Sequence, residues 1–153
     1  RLAKKGELLT HNKDRGVLII MKMEDVIETD LETIFPDMTL GDLINIISKS
    51  TRNIYPVVER NSGKLLGIVT LDEVRNIMFR SELYGRFKVR KLMVSPPAKI
   101  LYNTPMDKVI DLFESTGAWN LPVVDKGGVY KGFVSKSKIF SSYRELLVHY
   151  SHD

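Results

Sequence analysis

The residues best suited to bind a small molecule are a hydroxyl and a carboxylate three positions apart, Thr70 and Glu73. They follow the apolar run 65–69, and Leu71 and Val74 continue at helical spacing, so the pair lies at the start of a predicted helix. There a carboxylate can accept hydrogen bonds from paired sugar hydroxyls, and exposed N–H groups attract phosphate. The same two side chains would also serve as an ordinary helix cap.

A second segment with this spacing carries the opposite charge. Ser135 is followed three residues later by Lys138 rather than by an acid. Because an ammonium group cannot accept a hydrogen bond from a sugar hydroxyl, Lys138 would instead favour phosphate.

Catalytic and metal-binding residue sets are absent from the sequence. It has no cysteine, and its histidines, His11, His149 and His152, form no convergent set of ligands. No nucleophile with a neighbouring base, HExxH motif, P-loop or dinucleotide fingerprint occurs. We therefore expect a protein that is not an enzyme and requires no cofactor.

Length and composition indicate a globular chain without a membrane span of its own. The 153 residues are 43% hydrophobic with a net charge of +4, and no apolar stretch approaches the roughly 20 residues that cross a bilayer. Because charges of both signs are interleaved along the chain, we expect no nucleic-acid partner.

An internal repeat organises the elements around these segments. Pro56 and Pro122 are 122 − 56 = 66 residues apart, and the same shift carries one helical apolar stripe onto another. The first stripe is Leu40, Leu43, Ile44 and Ile47, and the second is Met106, Val109, Ile110 and Phe113. A threonine with an aspartate three residues later predicts a capped start for each helix: Thr39 with Asp42, and Thr104 with Asp107.

A hairpin of two strands follows each predicted helix. The expected strands are 54–58 and 65–69 in the first copy, and 120–124 and 130–134 in the second. Short apolar runs at 34–35 and 100–101 precede the helices. Second helices follow over 71–79 and 138–150, and they carry more apolar positions than one repeat needs, which favours a dimer contact.

Each copy therefore has the order strand, helix, strand, strand, helix and, at about 60 residues, is small for an independent core. We predict an α/β (α+β) fold in which two such repeats pack with pseudo-two-fold symmetry. The expected organisation is a linker over 1–22, a first repeat over 23–80, a polar connector over 81–88, and a second repeat over 89–153 with an extended C-terminal helix.

The duplicated motifs carry a family resemblance. YPVV followed by GIVT, and LPVV followed by GFVS, with MEDVI and VRKLM before them, resemble a cystathionine-beta-synthase (CBS) domain pair, also called a Bateman module. The resemblance implies a regulatory module that forms a homodimer and binds an adenine nucleotide, ATP, ADP or AMP, in clefts between its repeats.

The resemblance also assigns residues to two clefts, each joining the base-reading strand of one repeat to the ribose motif of the other. The better candidate combines Trp119, Asn120 and Leu121 with Thr70 and Glu73, and the less suitable one combines Tyr55 with Ser135 and Lys138. Trp119 and Tyr55 would otherwise be large core or interface anchors.

A narrower resemblance concerns the parent protein. The opening RLAKKGELLTHNKDRGVLIIMKMEDVI and the ending SKSKIFSSYRELL are similar to the cytosolic tail of bacterial voltage-gated-type (CLC) chloride channels and transporters. This implies a membrane-embedded pore domain on the same chain, a location at the cytoplasmic face of the cell membrane and modulation of chloride transport. The alternatives are a free-standing CBS-pair nucleotide sensor and the regulatory module of an enzyme or another transporter.

Overall fold

The computed structural model describes residues 12–151, with side chains over residues 16–149. The first half of the predicted linker, residues 1–11, and His152 lie outside the described residues. The helices are α1 Asn12–Ile20, α2 Met23–Val26, α3 Leu40–Ser48, α4 Leu71–Arg75, α5 Met106–Thr116 and α6 Lys136–Ser151, and short 3₁₀ helices span Ser81–Leu83 and Val89–Lys91. The strands are β1 Ile54–Val58, β2 Leu65–Thr70, β3 Ile100–Leu101, β4 Asn120–Val124 and β5 Tyr130–Ser135. None of the helices in the described part of the chain is long and apolar enough to span a bilayer.

The strands form two small sheets, as the mixed α+β prediction requires. β1 and β2 pair antiparallel, from Ile54 opposite Thr70 to Val58 opposite Leu65, with an irregularity between Val57 and Val58. The second sheet has the order β3-β4-β5. All four hairpin strands begin at the predicted residue, because alternating apolar runs bounded by turn residues are a strong local signal.

Contacts divide the chain into two compact units, each of which draws on both sequence repeats. Of the described residues, the first unit contains 12–28, Pro97–Val123 and 133–151, whereas the second contains Thr29–Pro96 and Val124–Gly132. In the first unit α5 buries Met106, Val109 and Phe113, which join Leu121 in one apolar core. In the second unit α3 buries Leu40 and Leu43 in a core that includes Tyr55 and Val57.

An exchange of segments explains why the units differ from the repeats. In the first unit Glu28 and Phe133 exchange two backbone hydrogen bonds of 2.7 and 2.9 Å, and in the second unit Ile68 and Val94 exchange two of 2.9 Å. The pairs are equivalent under the repeat, since 94 − 28 = 66 and 133 − 68 = 65. The opening segment of each repeat therefore pairs with the hairpin of the other repeat.

The hairpin turns of the two repeats meet inside the second unit with local two-fold symmetry. The Leu65 N–H donates to the Gly128 carbonyl and the Tyr130 N–H donates to the Gly63 carbonyl, both at 3.0 Å. Gly128 corresponds to Gly63, and Tyr130 corresponds to Leu65. The two hydrogen bonds are therefore equivalent, and each runs from one repeat to the other in the opposite direction. Val58, Leu65 and Val124 pack beside them with Phe35 and Tyr130.

The helix caps agree with the prediction in the first repeat and differ in the second. Thr39 accepts from the Asp42 N–H at 3.1 Å while the Asp42 carboxylate accepts from the Thr39 N–H at 3.1 Å, which completes a capping box. The predicted cap at Thr104 is wrong, because α5 begins at Met106 and its N-cap is Pro105, which makes no side-chain cap bond. Pro105 is the residue of the second repeat that corresponds to Thr39, and proline has no side-chain hydroxyl with which to cap the helix.

Two predicted elements are shorter in the structure. The run at 34–35 forms only a single bridge, between Ile34 and Val57, because the following Pro36 has no N–H for a ladder. The helix expected over 71–79 ends at Arg75, after which Ile77 N–H donates to the carbonyl of Val74 in a tighter turn.

Residues of the polar connector between the repeats pack against the core of the second unit. Leu83, Tyr84 and Phe87 are partly buried there, and Val89, just beyond the predicted connector, is fully buried. The Tyr84 carbonyl accepts from the Gly41 N–H at 3.0 Å, and the Phe87 carbonyl accepts from the Leu40 N–H at 2.7 Å. The connector therefore covers the N-terminal end of α3.

Candidate functional site

The Thr70–Glu73 pair lies at the start of α4 in the second unit, where the sequence predicts it. Thr70 is the N-cap, and its hydroxyl accepts a long 3.4 Å hydrogen bond from the Glu73 N–H. Thr70 is half-buried at the end of β2 and Glu73 is exposed. The neighbouring Asp72 is also exposed, and its carboxylate lies 2.5 Å from the Arg75 guanidinium.

The Ser135–Lys138 pair repeats this arrangement at the start of α6 in the first unit. The Ser135 hydroxyl accepts a 3.1 Å hydrogen bond from the Lys138 N–H and lies 3.3 Å from the Ser137 hydroxyl. Lys138 is exposed. Where the first repeat presents a carboxylate, the second presents an ammonium group.

Each pair stands beside the beginning of its own repeat's first hairpin strand. The Leu71 N–H donates to the Asn53 carbonyl at 3.0 Å in the second unit, and the Lys136 N–H donates to the Trp119 carbonyl at 2.9 Å in the first. These two bonds are equivalent, since 119 − 53 = 66 and 136 − 71 = 65. A helix start capped by a hydroxyl and the start of a buried strand thus form one local arrangement that occurs twice.

The residues assigned to base recognition have very different exposures. Trp119 is 70% exposed, whereas Leu121 is fully buried in the first unit and Asn120 is partly buried. Tyr55 is fully buried in the core of the second unit, where its hydroxyl donates to the Arg52 carbonyl at 2.9 Å. Tyr55 is therefore a core anchor, which is one of the two roles predicted for it from the sequence. Trp119 is not part of a core.

The residues of each predicted cleft belong to different units. Trp119, Asn120, Leu121, Ser135 and Lys138 lie in the first unit, and Tyr55, Thr70 and Glu73 lie in the second. What the structure brings together in one unit is the strand start and the hydroxyl motif of the same repeat. The pairing across repeats stays a prediction.

A cavity of about 460 Å³ in the second unit contains residues that the sequence reasoning missed. Its lining comes from the segment before α3, the C-terminal half of α3 and the segment before β1: Asp30, Glu32, Asn45, Ile46, Lys49, Ser50, Thr51 and Arg52. The volume is in the range of small-molecule sites. The polar residues 50–52, directly before β1, are the sequence feature that could have indicated this cavity.

An ion pair at this cavity changes the protonation behaviour of its acid. The Arg52 guanidinium lies 2.5 Å from the Asp30 carboxylate. Its hydrogen bond is the main reason why the pKa of Asp30 is lowered below the ordinary 3.8. Burial raises the pKa of Tyr130 above its ordinary value. The charge of Arg52 lowers that pKa, and the charge of Asp30 raises it. Asp30 therefore stays ionised at neutral pH, so both charges of the pair are present at the cavity.

No metal site emerges from the described side chains. Within residues 12–151, no group of three or more His, Cys, Asp or Glu residues is arranged to hold a metal ion. The groups present at the two helix starts are hydroxyls, charged side chains and the exposed Trp119 ring.

Comparison with known proteins identifies both repeats. A model described as "CBS domain" matches residues 23–80 and again residues 89–145. Inosine-5'-monophosphate dehydrogenase of Methanocaldococcus jannaschii is 28% identical over 109 residues, which are 71% of this chain and 21% of that protein. The uncharacterized protein MJ0188 of the same organism is 30% identical over 127 residues, 82% of this chain and 45% of that protein. The chain spans less than half the length of either relative.

Solved structures share the fold over almost the whole chain. CbpB in complex with c-di-AMP has a TM-score of 0.74 at 10% identity, covering 96% of this chain and 98% of that one. The CBS domain of a bacterial CNNM/CorC family Mg²⁺ transporter in complex with ATP has a TM-score of 0.72 at 15% identity, covering 92% and 96%. At such identities the likeness shows the fold.

Proposed function

This chain belongs to the CBS domain family, and from that premise we propose that it is a regulatory CBS pair that senses an adenine nucleotide. The ligand would be ATP, ADP or AMP, and binding would favour one arrangement of the parent protein over another. Such a ligand shifts the equilibrium only by its difference in affinity for the two arrangements.

One observation carries this proposal: a hydroxyl-capped helix start lies beside a strand start in both repeats, through the equivalent Asn53–Leu71 and Trp119–Lys136 hydrogen bonds. In the first repeat the exposed Glu73 carboxylate can accept from ribose hydroxyls, and in the second the exposed Lys138 can pair with phosphate. The first motif therefore offers groups suited to a ribose, and the second offers a group suited to a phosphate.

Likeness to ligand-bound proteins supports the choice of an adenine nucleotide. The two solved structures of this fold described above hold ATP and c-di-AMP, and both ligands contain an adenine base joined to ribose and phosphate. The cavity beside Arg52 adds space of suitable volume in the second unit.

Isothermal titration calorimetry with ATP, ADP, AMP and adenosine tests the proposal. We expect saturable heat with at least one nucleotide, and an affinity roughly 10- to 100-fold lower in Glu73→Ala, because a hydrogen bond to a charged group is worth about 1.5–3 kcal/mol. Asp72→Ala is the matched control: it removes the same charge one residue away, but from a carboxylate already bound to Arg75, so its affinity should match the wild type. Absence of heat with all four ligands would refute nucleotide sensing.

We propose further that the protein acts without catalytic chemistry and as a homodimer. Phe79 is 86% exposed and Val148 is 56% exposed, and both lie in the segments expected to form the dimer contact. Sedimentation equilibrium would give a dimer for the wild type and a weaker dimer for Phe79→Ser and Val148→Ser. A monomeric wild type at all concentrations would contradict this part of the proposal.

For the parent protein we favour a free-standing sensor over a chloride-channel tail. The resemblance of the opening and closing segments implies a cytoplasmic regulatory tail that modulates chloride transport, but the relatives described above carry other names, and this favours the alternatives. The regulatory module of an enzyme or another transporter is the third alternative. The coding sequence upstream of Arg1 decides: a run of hydrophobic spans favours the channel tail, and a start codon near Arg1 favours the free-standing sensor.

A further inference from the structure

Each repeat opens with one short helical turn, which we call the acidic turn over residues 23–26 and the basic turn over residues 89–92. The acidic turn is α2, and the basic turn contains the 3₁₀ helix Val89–Lys91. In both turns the N–H of the third residue donates to the carbonyl of the residue before the turn, at 2.9 Å. The N–H of the residue after each turn donates to the carbonyl of the first residue, at 2.9 and 3.0 Å. The turns are 89 − 23 = 66 residues apart, so they are equivalent parts of the two repeats.

The side chains of the two turns agree on the inward side and differ on the outward side. The first and fourth residues of each turn are buried: Met23, Val26, Val89 and Leu92. The second and third residues are exposed, and they are Glu24 and Asp25 in the acidic turn and Arg90 and Lys91 in the basic turn. The repeat therefore keeps the apolar side of the turn and reverses the charge of its outward side.

The segments that contain the turns have the same opposite signs. Residues 23–48 contain seven acidic residues and no lysine or arginine, whereas residues 79–92 contain five basic residues and one acid, Glu82. Asp30, Asp37 and Glu82 are paired with neighbouring arginines. Within residues 16–149, none of the four outward residues of the turns forms an ion pair. The turns thus present charges that this part of the chain does not neutralise.

We propose that these turns orient the homodimer, with the acidic turn of each subunit against the basic turn of the other. This inference rests on the proposed homodimer and adds its orientation. A two-fold interface is self-complementary, because each contact occurs twice with the roles of the subunits exchanged. Opposite charges on equivalent turns meet this requirement when the first repeat of one subunit faces the second repeat of the other. The alternative, in which each repeat faces its own counterpart, places acids against acids and cations against cations.

The charges select the arrangement, and apolar contact provides most of the affinity. An exposed ion pair contributes little binding free energy, but like charges brought together strongly disfavour a wrong pairing. Phe79 and Val148, proposed above for the dimer contact, are the exposed apolar residues that association would bury. Because an internal repeat makes two orientations of a dimer similar in their apolar contacts, a repulsive element is what distinguishes them.

Exchange of the outward charges tests the proposal. The basic variant carries Glu24→Arg with Asp25→Lys, and the acidic variant carries Arg90→Glu with Lys91→Asp. Each variant copies the outward residues of the other repeat, in which the same turn forms, so we expect both variants to fold. In sedimentation equilibrium at low salt, the dimer dissociation constant of each variant alone should rise about tenfold or more, because both contacts of the dimer become repulsive.

An equimolar mixture of the two variants is the decisive measurement. The basic variant has cations on both turns and the acidic variant has acids on both, so a mixed dimer has two attractive contacts. We expect the mixture to associate like the wild type. A chain that carries all four substitutions should also dimerise like the wild type, since its charges are only exchanged between the turns.

The matched control is Lys126→Glu with Lys131→Glu, which changes the net charge as the acidic variant does, at two exposed lysines outside the turns. Its association should not change. If the wild type dimerises and both variants dimerise equally well, or if mixing does not restore association, the inference is refuted and the homodimer stands. A wild type that is monomeric at all concentrations refutes both.

Neutral substitutions decide if circular dichroism shows that a charge-reversed variant is misfolded. Glu24→Gln and Arg90→Gln should each weaken the dimer by about two- to tenfold, as expected for the loss of exposed ion pairs that occur twice. Their combination should weaken it no further, because both substitutions remove the same pair. Additive effects, or no effect of either substitution, would refute the pairing.

Discussion

Gly67, a single residue in β2, makes the exchange of segments sterically possible. A Cβ built on it would lie 2.9 Å from the Val94 carbonyl oxygen, which is the backbone that pairs with Ile68. We expect Gly67→Ala to lower the free energy of unfolding by about 1–3 kcal/mol, as overpacking does. Urea unfolding measures this. Gly85→Ala is the control, since nothing lies within 4 Å of its added Cβ, and equal effects of both substitutions would contradict the account.

The Asp30–Arg52 pair gives a prediction about pH. Because Arg52 lowers the pKa of Asp30 below 3.8, the stabilisation from this pair is complete above pH 3.8 and is lost as the pH falls through the lower folded value. In an NMR titration of the side-chain carboxyl, Arg52→Gln should raise the pKa of Asp30 toward 3.8. The pKa of Asp37, lowered mainly by its hydrogen bond from Arg60, should not move. An unchanged Asp30 titration would refute the assignment.

The positions of individual side chains could be predicted where they depend only on neighbouring residues in the sequence. Thr70 and Ser135 lie at helix starts as predicted, because a hydroxyl followed by helical periodicity depends only on neighbouring residues. The exposure of Trp119 and the burial of Tyr55 depend on which segments pack around them. The sequence therefore predicts the same roles for both residues, base recognition or a core anchor. The cavity beside Arg52 was missed because its lining comes from three separate segments.

The capping difference between the repeats gives a prediction for one element. Thr39 completes a capping box at the start of α3, so Thr39→Ala should cost about 1 kcal/mol of stability. Thr104→Ala is the matched substitution in the second repeat, where the helix has Pro105 at its N-cap, and it should change stability by a few tenths of a kcal/mol. Thermal unfolding compares them, and a larger loss at Thr104 would contradict the assigned caps.

The helices and strands show where a repeat in sequence is a reliable guide and where it fails. Strand starts at Ile54, Leu65, Asn120 and Tyr130 follow the apolar pattern in both copies. The copies diverge where one residue changes the backbone chemistry: Pro36 removes an N–H from the first copy, and Pro105 removes a cap from the second. The repeat predicts which residues correspond, and the local residue type decides what each of them does.

At the scale of the whole molecule, the exchange of segments was beyond prediction from one sequence. The pattern indicated two half-domains that need each other's cover, and the local two-fold symmetry at the hairpin turns agrees with this. The pairing of a segment with a hairpin depends on residues that are far apart in the chain, such as Glu28 and Phe133. Nothing in the types of these two residues indicates that they pair. Apolar patterning specifies a buried face but not its partner.

The central claim, that this CBS pair recognises an adenine nucleotide through the motifs of its repeats, is tested most directly by a titration with ATP followed by two-dimensional amide NMR. The account predicts that the amides of residues 70–73 and of residues 119–121 shift together and saturate with one dissociation constant. No shifts, or saturable shifts confined to residues outside these motifs and the cavity beside Arg52, would contradict it.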